Sequence, residues 1–143
     1  MGGDRLVVDT WGWLVLADAK HQAHLRAVHL RRRYTGPGKA LVTTDYVLDE
    51  MITRLYARGP FPETERFCDA VFREGELGLL AIERITAERF KKAYQLRLRH
   101  RDKPRISFTD LTSFVVMREL GVRHVLTADT HFSQAHLGFQ IVP

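Results

Sequence analysis

Short apolar runs alternate along this chain with longer stretches whose apolar residues recur every three or four positions, a pattern that predicts strands interleaved with helices. Leu6-Val7-Val8 is β-branched and stops at Asp9-Thr10, as a strand buried on both faces does. From Trp11 to Tyr34 the spacing is helical, through Trp13, Leu16 and Ala17 and then Leu25, Val28 and Leu30. A break near Asp18 to His21 leaves two helices or one bent helix. Thr35-Gly36-Pro37-Gly38 is a turn, Ala40 to Thr43 a second strand, and a helix opens at Thr44 or Asp45 with Val47, Leu48, Met51, Ile52 and Leu55 as its buried stripe. Gly59-Pro60-Phe61-Pro62 ends that helix, another carrying Phe67, Val71 and Phe72 follows from about Glu63, and Gly75 closes it. Leu79 to Ile82 reads as a third strand and Thr86 to His100 as a long amphipathic helix. After the break at Lys103-Pro104-Arg105, Ser107 or Thr109 caps a helix through Leu111, Phe114, Val115, Met117 and Leu120, which Gly121 ends. Val122 to Thr127 and Phe139 to Val142 supply the last two strands.

This alternation predicts an α/β fold, a three-layer sandwich with a mainly parallel sheet of four to five strands flanked by helices, as a single domain over 1–143. Ligands of such folds bind beyond the carboxyl ends of the strands. Asp9 and Asp129 directly follow strands, and Glu50 and Asp110 are read as lying in the opening turns of helices, so four distant segments point acids at one sheet edge. Each acid alone has an ordinary explanation: Asp9 or Asp129 as a turn cap, Asp110 as a first-turn acid, Glu50 as an exposed helix residue. Together they would repel and desolvate badly unless a hard divalent cation neutralised them, which makes a Mg²⁺- or Mn²⁺-dependent phosphodiesterase the reading of choice. Asp45 is read as a cap, and Asp49 points about 100° away from Glu50 around the helix, so Glu50 is preferred.

Charge sharpens the picture. The formal net charge is +5 despite the acidic cluster, so the surplus Lys and Arg lie elsewhere, as suits an anionic polymer substrate. Two basic stretches stand out, His21 to Arg33 and Arg97 to Arg105; the second adjoins Asp110, making Arg99, Arg101, Lys103 and Arg105 the candidate phosphate-steering rim. Trp11 and Trp13 are read as core or interface ahead of base stacking. The one cysteine, Cys68, has no ligand spacing around it and reads as a small buried apolar residue. No apolar run approaches the roughly 20 residues of a membrane span, and Met1 to Arg5 carries no secretory pattern, so a cytoplasmic protein is expected.

Four segments, Val7-Val8-Asp9-Thr10, Thr43 to Glu50, Ser107 to Phe114, and Leu126-Thr127-Ala128-Asp129-Thr130-His131-Phe132, together resemble the successive motifs of PIN-domain ribonucleases, especially VapC-like toxins. The resemblance runs from the first strand to the last. It implies divalent metal held by Asp9, Glu50, Asp110 and Asp129, endonucleolytic cleavage of RNA leaving 5′-phosphate and 3′-hydroxyl ends, and a role for the Thr127 hydroxyl in orienting a carboxylate or a water. It also implies a cognate antitoxin and a homodimer. One departure is His131, which stands where many relatives carry an acid or amide, and which puts a tightly held second metal in doubt while offering a group that reaches a phosphate or metal.

Other readings fit less well. A haloacid-type phosphatase needs a second aspartate where Trp11 stands, and a receiver domain needs a phosphoacceptor and lysine where Glu83 and Pro143 stand. Gly36-Pro37-Gly38-Lys39 lacks the strand and hydroxyl of a phosphate loop. The remaining alternatives are an RNA-processing PIN nuclease outside a toxin system and a non-catalytic RNA- or protein-binding module of the same fold; four intact acids argue against the latter.

Overall fold

The computed structural model describes residues 4–143; Met1 to Gly3, part of the stretch read as lacking a secretory pattern, lie outside the described residues. Five parallel strands, β1 (Asp4–Val8), β2 (Lys39–Thr44), β3 (Leu80–Glu83), β4 (His124–Leu126) and β5 (Gln140–Val142), form one sheet in the order β3-β2-β1-β4-β5. The chain adds β2 and β3 to one side of β1, then crosses back to add β4 and β5 on the other. Right-handed crossovers run in opposite directions must cover opposite faces. Accordingly α1 (Thr10–Ala17), α2 (His24–Arg32), α3 (Asp45–Arg58) and α4 (Phe61–Glu76) pack one face, and α5 (Ala87–Arg99), α6 (Phe108–Leu120) and the one-turn α7 (His131–Gln134) pack the other.

The strand alternation divides the core in two. Leu6 and Val8 join Trp13, Val47, Met51 and Cys68 under α1 to α4, while Val7 between them joins Leu96, Leu111, Phe114 and Phe132 under α5 to α7. The result is the expected three-layer sandwich. The reversal of strand order falls between β1 and β4, so the residues that leave these two strands flank the crevice where such sheets bind ligands.

Several local expectations are corrected. Leu25 is exposed, and Ala27 is the buried residue of α2, a helix with too little apolar content to fix its own face. The α3 cap is Thr44, whose hydroxyl accepts the Val47 N–H at 3.1 Å; Asp45 opens the helix and accepts the amides of Tyr46 and Ile85, each at 3.0 Å, fastening α3 to the β3–α5 turn. Helix α4 starts at Phe61 and not at Glu63, because Pro62 falls in the first turn, where a missing N–H costs nothing. Gly75 lies inside α4, where a Cβ would sit 2.8 Å from Ile82 Cδ1, so its role is close packing on β3. Trp13 is wholly buried and bonds Thr43 Oγ1 through Nε1 at 3.1 Å, which removes it from base stacking.

Candidate functional site

Asp9 leaves β1 as the N-cap residue of α1, yet its side chain makes no capping bond and turns toward the sheet edge instead. It keeps 4% of its exposure. Burial first, then the charges of Asp129 and Glu50, push its carboxyl up from 3.8 to about 6, against the opposing pull of the Thr10 amide and the Thr127 hydroxyl. Thr127 Oγ1 donates to Asp9 Oδ2 at 2.9 Å and accepts the Asp129 N–H at 3.0 Å. The residues leaving β1 and β4 are thereby locked together across the switch point.

Asp110 lies in the first turn of α6, whose N-cap Ser107 accepts its N–H at 3.0 Å. Burial, then repulsion from Asp9 and Asp129 and a hydrogen bond with Asp129, raises its carboxyl from 3.8 to about 8. Asp129 Oδ1 accepts the His131 N–H at 2.9 Å, and the His131 ring sets Nδ1 3.0 Å from that oxygen and 3.2 Å from Asp110 Oδ2. His131 thus belongs to the acidic site. Glu50 sits in the second turn of α3, beyond the opening turn where the sequence pattern put it, so the helix dipole adds little to it. It accepts the Thr10 hydroxyl at 2.8 Å through Oε1, while Arg54 stands 4.0 Å from Oε2. Asp49 is exposed.

The structure therefore brings Asp9, Glu50, Asp110, Asp129, Thr127 and His131 to one edge. Thr10 is the member whose role went unread: a hydroxyl one residue after Asp9, at the start of α1, was the available signal. The basic candidates are less unified. Arg89 and Lys92, early in α5, meet Glu119, late in α6, at 2.9 and 3.3 Å, so the two helices are antiparallel and the 100–106 connection lies at the Asp110 end of α6. Exposed Arg101 and Arg105, and half-buried Lys103, belong to that connection, but Lys103 pairs with Asp102 at 3.0 Å. Arg99 instead lines a groove between α5 and α6 with Lys92, Gln95 and Arg118. In the earlier basic stretch Arg31 is spent on Glu74 and His24 Nδ1 lies 2.8 Å from the Val15 carbonyl.

Carboxylate oxygens from four segments, two of them held above their ordinary range by burial and mutual repulsion, are a donor set short of positive charge. Hard divalent cations bound by oxygen supply that charge, so the residues present fit Mg²⁺ or Mn²⁺.

The PIN domain model matches residues 6–136. The 23S rRNA-specific endonuclease VapC20 of Mycobacterium tuberculosis, in strains CDC 1551 / Oshkosh and ATCC 25618 / H37Rv, is 30% identical over 130 residues, which is 91% of this chain and 93% of the relative. The crystal structure of M. tuberculosis VapC20, a sarcin-ricin loop cleaving toxin, superposes with a TM-score of 0.78 at 30% identity, covering 94% of this chain and 96% of that one. VapBC2 from Rickettsia felis, bound to a DNA fragment from its promoter, shares the fold with a TM-score of 0.70 at 12% identity, over 96% of this chain and 97% of that one. From the first strand to beyond the last acid, this chain belongs to the PIN domain family.

Proposed function

We propose that this protein is a divalent-cation-dependent endoribonuclease, the toxin of a toxin–antitoxin pair, with Asp9, Glu50, Asp110 and Asp129 holding Mg²⁺ or Mn²⁺. The observation that carries the reading is the convergence of these acids at the β1/β4 switch point, where burial and then mutual repulsion raise Asp9 to about 6 and Asp110 to about 8. When bound, the cation screens the phosphodiester charge and acidifies the attacking water. Thr127 orients Asp9 and the backbone of Asp129, Thr10 holds Glu50 toward the site, and Ser107 fixes the first turn that carries Asp110. Arg101, Lys103 and Arg105 steer RNA phosphates toward the acids, with His131 at the site's rim.

The substrate class is structured ribosomal RNA, supported by the 30% identity to a 23S rRNA-specific endonuclease over 91% of this chain. A cytoplasmic location follows from that substrate, and among the described residues no helix is long and apolar enough to cross a membrane. A toxin needs restraint, and the partner assigned is a cognate antitoxin. A groove of about 500 Å³ lined by Trp11, Leu14, Arg54, Arg58 and Phe67 supports that partner, since it begins one residue from Thr10 and one turn from Glu50. Homodimerisation is supported by Phe90, Tyr94 and Leu98, an exposed apolar stripe along α5 at four-residue spacing.

The test is cleavage of intact ribosomes and of a mixed RNA pool by metal-stripped protein, with and without added Mg²⁺ or Mn²⁺, beside an Asp9→Asn variant. Metal-dependent cutting that the variant loses supports the reading. Folded protein that cuts neither substrate with either ion overturns it.

A further inference from the structure

We infer that His131 is a nitrogen ligand of the cation at this site, through Nδ1, and that it biases the site toward Mn²⁺ over Mg²⁺. The inference rests on the proposed metal centre and assigns it a donor beyond the four acids. Nδ1 stands 3.0 Å from Asp129 Oδ1 and 3.2 Å from Asp110 Oδ2, and one ligand atom from each of the three residues falls within a mutual span of 4.8 Å. In an octahedral shell with bonds of about 2.1 Å, adjacent ligand atoms are about 3.0 Å apart and opposite ones about 4.2 Å. The Nδ1 to carboxylate separations match the adjacent edges of such a shell.

Convergence on one ring nitrogen is the telling feature. A lone Nδ1–H makes one well-aligned hydrogen bond, and here two carboxylate oxygens from separate segments face the same atom. The backbone of His131 is itself tied to Asp129 Oδ1 at 2.9 Å, so the tether that aims the ring starts from one of the two acids it joins. Residual side-chain exposure of 23% leaves the ring reachable by an ion from solvent. The chemistry then discriminates between metals: Mg²⁺ favours oxygen donors and holds its waters, whereas first-row transition ions gain from imidazole.

The competing account is that His131 is only a hydrogen-bond partner of the two carboxylates. Metal-stripped wild type, His131→Asp and His131→Ala, each checked for fold by circular dichroism, are titrated separately with Mn²⁺ and Mg²⁺ by calorimetry, and the Mn²⁺-loaded proteins are examined by electron spin-echo modulation. The expected result is ¹⁴N coupling to Mn²⁺ in the wild type and its loss in both variants, with the Mn²⁺ over Mg²⁺ affinity ratio falling about tenfold in His131→Asp. Bound Mn²⁺ without ¹⁴N coupling, or coupling that persists in the variants, overturns the ligand role and leaves the carboxylate centre standing. Wild type that binds neither ion, or binds Mn²⁺ no better than Asp9→Asn does, overturns the ligand role and the metal centre together.

Discussion

The hydroxyl of Thr127 donates to Oδ2 of Asp9 across 2.9 Å, joining residues 118 positions apart in the chain. The hydroxyl oxygen of Thr127 in turn accepts the Asp129 N–H, so one small side chain sets the spacing of two acids that repel each other. Thr127→Val keeps the shape and removes both bonds. The expected outcome is a loss of about 1–2 kcal/mol in unfolding free energy from the unsatisfied Asp129 amide, and a roughly tenfold weaker affinity for Mn²⁺. Thr127→Ser should restore most of the affinity. Calorimetric titration of the three proteins checks both statements, and equal affinity in Thr127→Val and wild type would remove the orienting role.

The raised carboxyls make metal-free stability depend on pH with a definite sign. Asp9 at about 6 and Asp110 at about 8 both bind protons more tightly in the folded chain than at their ordinary 3.8. Native protein therefore holds more protons than unfolded protein above about pH 4, and stability falls as pH rises through the two folded values. A tenfold change in proton affinity is worth about 1.4 kcal/mol, so the metal-free chain is expected to lose several kcal/mol between about pH 4 and 8. Asp110→Asn should be more stable than wild type without metal, by a margin that widens toward pH 8. Saturating Mn²⁺ should remove the wild type's disadvantage at pH 8 and release protons as it binds. Urea melts at pH 5 and 8, with and without metal, read the sign directly; a metal-free wild type that gains on Asp110→Asn as pH rises contradicts it.

Gly12 lets α1 sit against β4. A Cβ there would lie 2.7 Å from the Leu126 carbonyl oxygen and 2.9 Å from its Cγ. Neither the backbone of a central strand nor a fully buried leucine yields easily, so Gly12→Ala should push α1 outward at a cost of about 1–3 kcal/mol. The start of that helix carries Thr10, which holds Glu50, and follows Asp9 directly. A drop in melting temperature of roughly 5 °C, accompanied by weaker metal binding, is the expected pair of changes. Differential scanning calorimetry beside metal titration separates them.

How much of this was legible in the sequence follows from the range of each interaction. Strand ends and helix starts are set by local periodicity and capping, so the positions of Asp9, Asp110 and Asp129 at one sheet edge could be read from Val8, Ser107 and Leu126 beside them. The Thr10 to Glu50 bond, 40 residues apart, depends on β2 lying beside β1 and on the face α3 presents, which no local pattern states. Leu25 shows the opposite failure: α2 buries Ala27 and packs Val28 and Leu30 partly against the core, while Leu25 is exposed, because a helix this rich in His and Arg does not mark its own buried face. His131 could be placed near the site by sequence, but the aim of Nδ1 is fixed by the one-turn helix α7, which is too short to show any period.

Arg97 is the remaining feature that sequence reading put in a basic patch and the structure puts to different use. Its guanidinium donates to the carbonyls of Ile106, His100 and Lys103, closing the connection that presents Arg101, Lys103 and Arg105 beside the first turn of α6. Arg97→Lys keeps the charge but cannot span three acceptors from a planar fork. Amide exchange across 100–106 should accelerate and KM for RNA should rise, with affinity for Mn²⁺ unchanged. Replacing Arg101, Lys103 and Arg105 together by Gln tests what the connection is for. If these side chains neutralise RNA phosphates, the dependence of log affinity on log salt should flatten by about 0.7–0.9 for each phosphate no longer neutralised, roughly 2 in all. Lys103, already paired with Asp102, should contribute least. RNA binding whose salt slope is the same in wild type and the triple variant would take the connection off the substrate path and return these residues to a solvated face.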